Sequence, residues 1–311
     1  MNQENSLNSQ KLRGYLFAIA ATALWSGNFI LARGLSDSIP PISLAYYRWV
    51  VAIVFLLPFC LKPLMSQMNL IKKNILMLSL ISLLGVTVFN TFIYFAGQTT
   101  SAINLSLIAI TFPIFILIFS RIFLKEKISK NKSFGVVFVL IGVVLLISKG
   151  DINVLLNISF VEGDVWMFAA AIVFAIYSML LKYKPKGLNV WAFQFSSFVL
   201  GLVFLTPFYI WEIATTTSVV QMSDDLILGV LYVGIFASLF AYVLWNQSIH
   251  LIGAPKAGMI YYTIPIFSGV LAYLFLDEDI TMNHLYSVIL IFTGIILANK
   301  EFKKKKNKSK I

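Results

Sequence analysis

Thr111-Phe112-Pro113-Ile114-Phe115, followed by Phe123-Leu124-Lys125-Glu126-Lys127-Ile128 and by Gly142 in an apolar run, occurs a second time. The second copy reads Thr263-Ile264-Pro265-Ile266-Phe267, then Phe275-Leu276-Asp277-Glu278-Asp279-Ile280, then Gly294. The offset is 152 residues throughout. Upstream, Gly14, Trp25, Asn28, Phe55, Pro58-Phe59 and Gly85 align at an offset of 149 with Gly163, Phe174, Tyr177, Phe204, Pro207-Phe208 and Gly234. A repeat of this length governs the fold, because each copy must supply the same set of elements.

The 311 residues are 59% hydrophobic and 12% charged. Soluble domains carry about 25% charged residues, so this chain cannot cover a water-facing surface and reads as an integral membrane protein. A span needs about 20 mostly apolar residues. Ten segments meet or approach that length: 14–33, 42–61, 74–96, 101–122, 133–148, 163–181, 190–211, 226–248, 254–276 and 282–299. The first lies near the N-terminus but is longer than a signal-peptide core and lacks a small-x-small cleavage site, so it is expected to be retained. The sole cysteine, Cys60, rules out an internal disulfide.

The net charge of +11 lies in loops and tails. With the N-terminus inside, 21 of 24 basic residues fall on the inner side, and acids such as Asp37, Glu162, Glu212 and Asp277 fall outside. That bias predicts cytoplasmic termini. The expected organisation is a tail at 1–13, a five-helix repeat at 14–149, an external linker at 150–162, a second repeat at 163–299 and a basic tail at 300–311. Five is odd, so the second repeat is inverted. Lys125 and Lys127 accordingly become Asp277 and Asp279 on the opposite face. Inverted repeats around a midplane site are a construction of secondary transporters.

These features, with Trp25-x-x-Asn28-Phe29, Tyr47-Arg48-Trp49 and the Pro…Glu…Gly pattern of both repeats, make the chain resemble the EamA branch of the drug/metabolite transporter superfamily. The resemblance covers about residues 14–299. It implies an all-α, ten-helix transporter of a bacterial-type inner membrane, with a central cavity lined by helices one, three, four, six, eight and nine. It also implies that helix two does not touch substrate and that helices five and ten pack peripherally. Relatives export amino acids or related metabolites. Uptake of a metabolite or cofactor and drug efflux are alternatives on the same fold.

Polar and aromatic residues deep in apolar helices are costly and often functional. On that ground Trp25, Asn28, Asn90, Tyr94, Asn104, Thr111, Tyr177, Ser238, Tyr242, Trp245 and Tyr262 are the candidate cavity residues. Asn28 also suits a packing seam of Gly14, Ala18, Ala21 and Ala32, and Trp245 also suits an interfacial aromatic belt. Pro113 and Pro265 are expected to kink helices four and nine near their middles and serve as hinges. Arg48 is read as a structural or gating residue that snorkels or binds helix-end carbonyls, and Glu126 and Glu278 as pins at helix ends.

The spans carry no carboxylate in their cores, so the expected export is facilitated rather than tightly proton-coupled. The chain has no phosphate loop, no Cys/His metal cluster and no nucleophile–base set; no cofactor or metal is expected. A membrane transferase would need a metal-diphosphate site, for which Asp277-Glu278-Asp279 is the nearest and a poor candidate. The expected partners are a small-molecule substrate and the lipid bilayer, not nucleic acid. Nothing in the sequence selects an oligomeric state.

Overall fold

A computed structural model describes residues 2–100, 105, 108–125, 128–148, 150–157, 160–216, 220, 222–276 and 282–299. Its regular elements are all helical. They are α1 (Asn2–Gly34), α2 (Pro41–Lys73), α3 (Ile75–Thr99), α4 (Phe112–Phe123), α5 (Lys130–Ser148), α6 (Glu162–Tyr183), α7 (Val190–Thr215), α8 (Asp224–Ile252), α9 (Ala254–Tyr261), α10 (Ile264–Leu276) and α11 (Met282–Asn299). A short turn of helix, Ile152–Leu156, follows α5. Six helices are clearly long and apolar enough to cross a bilayer: α1, α2, α3, α6, α7 and α8. Several run past the apolar stretches that announced them. Helix α1 covers most of the expected tail at 1–13, and α2 continues beyond residue 61 to Lys73. Asn104, Glu126 and Glu278 lie outside the described residues.

Helix starts follow local chemistry. Helix α2 opens with Pro41, whose missing N–H is no loss in a first turn. The side chain of Glu212, from the end of α7, accepts from Ile42 N (2.9 Å), Ser43 N (2.6 Å) and Ser43 Oγ (2.7 Å). A carboxylate at a helix N-terminus satisfies orphan donors and opposes the positive dipole end. Asn189 caps α7 through Trp191 N (2.8 Å) and Ser223 caps α8 through Leu226 N (3.2 Å).

The closest helix pairs are α2 with α7, α1 with α8, α3 with α6, and α5 with α11. The first three pairs enclose the main core, and α5 and α11 flank a smaller cluster containing Val139, Val143, Ile291 and Tyr262. Between α5 and α11 the backbones nearly touch. A methyl added at Gly135 would lie 2.5 Å from the Gly294 carbonyl oxygen. Small residues permit such approach where lipid supplies no hydrophobic drive between helices.

Two features depart from the regular α-helix. Residues Leu83–Val88 in α3 and Val233–Phe240 in α8 wind as π-helix, and the two prolines end up elsewhere than expected. Pro113 and Pro265 do not kink continuous helices. A turn at 110–111 precedes α4, and a two-residue turn at Tyr262–Thr263 separates α9 from α10. Each proline therefore occupies the first turn of a new helix, where no donor is forfeited. Each break is closed in the same manner. Thr111 Oγ1 donates to Ile108 O (2.7 Å), and Thr263 Oγ1 donates to Ile260 O (2.8 Å).

Candidate functional site

Arg48 is fully buried in the middle of the main core, not snorkelling toward an end. Its Nε donates to Ser238 Oγ (2.7 Å). Its Nη1 donates to Asn90 Oδ1 (2.7 Å), Tyr94 Oη (2.5 Å) and Asn28 Oδ1 (3.3 Å). Tyr94 Oη donates its own hydrogen bond to Asn28 Oδ1 (3.1 Å). The guanidinium carbon also sits 5.0 Å from the Trp49 ring centroid and 5.6 Å from that of Tyr94. None of these partners is a carboxylate. The Nη2 nitrogen has no hydrogen-bond partner among the described residues.

The π-turns make this arrangement possible. A π-turn frees carbonyls from the regular ladder and is often found at functional sites. Gly85 O, in the first, accepts from Tyr242 Oη (2.5 Å) and Asn90 Nδ2 (3.2 Å), and Asn90 Nδ2 also donates to Tyr242 Oη (2.7 Å). Val233 O, in the second, accepts from Ser238 Oγ (2.7 Å). Gly85 O and Val233 O thus each hold a side chain, Asn90 and Ser238, that binds Arg48. The polar amide and hydroxyl groups are oriented by backbone, not left to rotate.

Beside the polar centre lies an aromatic box. Trp25 packs at 5.2–5.7 Å against Phe174, Tyr242 and Trp245, and at 6.3 Å against Tyr261. Its Nε1 donates to Ala237 O (2.8 Å), again within the second π-turn. Trp245 is fully buried and donates to Ser178 Oγ (3.3 Å), so it belongs to this box and not to an interfacial belt. Tyr177 Oη donates to Asn246 Oδ1 (2.8 Å), whose Nδ2 donates to Gln194 Oε1 (2.9 Å).

Eight of the sequence-derived candidates therefore meet: Trp25, Asn28, Asn90, Tyr94, Tyr177, Ser238, Tyr242 and Trp245. Two do not. Tyr262 faces the smaller cluster, with a buried hydroxyl that has no partner, whereas its neighbour Tyr261 enters the aromatic box. Among the described residues, Thr111 Oγ1 bonds its own turn. Sequence reasoning kept Arg48 apart from the cavity set and missed Trp49, Phe112 and Gln194. An ionisable residue well inside a span was the available signal for Arg48; the aromatic and amide partners carried none.

A cavity of about 580 Å³ opens at the lysine-rich end, lined by Ser178, Lys182, Lys184, Lys186, Gln247 and His250 among others. It reaches Ser178, the partner of Trp245, and so stops one ring short of the box. Burial pushes the Lys184 ammonium below the usual lysine range, and its Nζ lies 4.9 Å over the Phe193 ring. A second cavity of about 310 Å³, at the other end, is lined by Asp37, Gln98, Trp211 and Glu212. Among the described residues no cluster of His, Cys, Asp and Glu is arranged to hold a metal ion.

The model of the EamA-like transporter family matches this chain twice, over residues 12–148 and 161–300. A protein of Archaeoglobus fulgidus named an uncharacterized transporter is 27% identical over 294 residues, covering 91% of this chain and 96% of its own. The uncharacterized transporter YyaM of Bacillus subtilis is 24% identical over 289 residues, covering 92% and 93% respectively. A solved crystal structure at 18% identity superposes with a TM-score of 0.72 over 92% of this chain and 96% of its own, a likeness of fold. With this all-helical, multi-pass architecture, the protein is a membrane transporter and belongs to the EamA-like transporter family.

Proposed function

We propose that the protein exports small metabolites, amino acids or related compounds, by alternating access across a bacterial-type inner membrane. The reading takes ten spans as two inverted five-helix repeats, 14–149 and 163–299, joined by the external linker 150–162, with the tails at 1–13 and 300–311 in the cytoplasm. The observation that carries it is the polar centre. Its side chains come from both halves: Asn28, Arg48, Asn90 and Tyr94 from the first, Ser238 and Tyr242 from the second. A site shared between repeats is where a rocking pair of halves would hold a substrate.

Several details support the inversion. The family model matches each half separately. The π-turns contain Gly85 and Gly234, which align at the repeat offset, and the helix breaks contain Thr111 and Thr263. Pairing also maps onto itself: α2 with α7 and α5 with α11 join equivalent helices, and the α1–α8 pair corresponds to α6–α3. Export is favoured by the larger cavity lying at the lysine-rich end, which the charge bias assigns to the cytoplasm. In this reading Trp25, Asn28, Asn90, Tyr94, Tyr177, Ser238, Tyr242 and Trp245 line or support the substrate site. The breaks before Pro113 and Pro265 serve as hinges.

A metabolite-resistance and accumulation screen in cells with and without the protein tests this. The protein should lower internal levels of at least one amino acid or close relative, and Asn28→Ala and Tyr242→Ala should each remove the effect. Unchanged export in both variants would remove those residues from the site. Stoichiometric response of flux to an imposed pH gradient in proteoliposomes would overturn the facilitated mode.

A further inference from the structure

Arg48 carries a charge into the centre of the molecule and meets only neutral partners. Its Nε and Nη1 are engaged by Ser238, Asn90, Tyr94 and Asn28, whereas Nη2 is buried and has no partner among the described residues. Leaving a buried charged donor unmade costs more than leaving a neutral one, and an isolated charge in low dielectric is the most expensive group a core can hold. The buried acids among the described residues, Asp164 and Glu212, do not relieve it. Asp164 accepts from Val161 N and Thr100 Oγ1 at the start of α6, and Glu212 caps α2.

Resting on the transport reading above, we propose that Arg48 is the anchor for a carboxylate of the transported metabolite, which docks on Nη2. Three observations converge on that chemistry. The network fixes the guanidinium on its Nε and Nη1 nitrogens and leaves one nitrogen, with two N–H groups, to give away; a planar carboxylate oxygen accepts from such a donor in a short, charge-assisted bond. The centre offers a single positive charge, which matches a carboxylate and undercompensates a phosphate monoester near −2. The approach from the lysine-rich end passes Lys182, Lys184, Lys186 and His250, and none of the described residues lining that cavity is acidic. Such a mouth raises the local concentration of anions. Next to Arg48, the Trp25, Phe174, Tyr242 and Trp245 rings supply a surface for an apolar body attached to the carboxylate.

The test uses the full chain and matched compounds: sodium L-lactate, sodium 3-phenylpropionate and L-leucine against lactamide, 3-phenylpropionamide and L-leucinamide, all at equal ionic strength. Thermal unfolding of the detergent-solubilised protein should rise by about 2 °C or more with at least one carboxylate and not with its amide. Proteoliposomes loaded with the same compounds should release the carboxylates faster than the amides. Arg48→Gln and Arg48→Met should lower that release on the order of 10- to 100-fold, the range for a lost hydrogen bond to a charged group. If neither variant folds, the carboxylate-against-amide comparison on the unaltered chain still decides. Equal release of acids and amides, indifferent to Arg48, would overturn the anchor and leave export standing. Melting shifts specific to carboxylates without release of any compound would keep the anchor and overturn export of this class. No shift and no release would overturn both; Nη2 would then be satisfied by water. A larger shift with inorganic phosphate would overturn the choice of carboxylate.

Discussion

The π-turn of α3 and the π-turn of α8 are the same backbone device at matched positions, and they are satisfied in different ways. In the first, the freed Gly85 carbonyl is held by Tyr242, a side chain from the other half of the chain, together with Asn90. In the second, the Val233 carbonyl holds the hydroxyl of Ser238 in the same turn, and Ser238 in turn accepts from Arg48. Both turns are tied across the two halves, the first through Gly85 O to Tyr242 and the second through Ala237 O to Trp25; the second also presents Ser238, held by its own turn, as a prepared acceptor for Arg48. A symmetric backbone can carry an asymmetric charge: the repeat mate of Arg48 at an offset of 149 is Ser197, which is buried with an unpartnered hydroxyl.

That contrast can be broken at several points. The largest effect is expected from Ser238→Ala, which strips Arg48 Nε of its acceptor within a closed core. It should cost about 2–3 kcal/mol in reversible unfolding; a change below about 0.5 kcal/mol would mean that Nε finds another partner. Next come Gly85→Ala and Gly234→Ala, each expected to cost about 1–3 kcal/mol by overpacking. A methyl at Gly85 overlaps the Tyr177 ring, which is stacked on Phe174 and bonded to Asn246. A methyl at Gly234 meets the Val51 side chain and, at 3.0 Å, the Arg48 carbonyl oxygen. The Gly85 variant should lose transport as well as stability if the displaced Tyr177 ring belongs to the proposed site.

Smaller effects sharpen the picture. Tyr242→Phe removes the hydroxyl that ties Gly85 O to the other half but leaves Gly85 O with Asn90, so a loss of about 1 kcal/mol is expected. Equality with Ser238→Ala would contradict the difference drawn between the two turns. The smallest is at the helix breaks. Thr263 Oγ1 has Thr22 Oγ1 as a second partner at 2.9 Å, and among the described residues Thr111 bonds its own turn. Thr263→Val should therefore cost about 0.6 kcal/mol, a typical hydrogen bond between membrane helices, and Thr111→Val less. All are read by denaturant titration in one detergent.

Much of the fold was legible in the chain because membrane residence simplifies the code. Apolar length marked the helices. The sequence misled where two physical outcomes share one residue pattern. A proline within an apolar run reads as a kink, yet both prolines start new helices, since Thr111 and Thr263 close the preceding turns with their side chains. The polar centre was legible as a list and not as a place. Asn28, Asn90, Tyr94 and Tyr242 announced themselves by polarity, but their convergence on Arg48 depends on π-turns, which leave no periodicity to read. Tyr261 and Tyr262 are adjacent and alike, and only the turn at Tyr262–Thr263 decides which ring enters the aromatic box.

The central claim is that the two mouths move in opposition about the Arg48 centre. It is tested most directly by pulsed-EPR distances in lipid nanodiscs, with Cys60 replaced by alanine. One label pair spans the lysine-rich mouth, at Leu124 and Lys186; the other spans the acidic mouth, at Asp37 and Thr216. Titration with a mixture of amino acids and 2-hydroxy acids should shift the two distance distributions in opposite directions, one mouth narrowing as the other widens. Distances that stay fixed at both mouths, or widen together, would contradict alternating access.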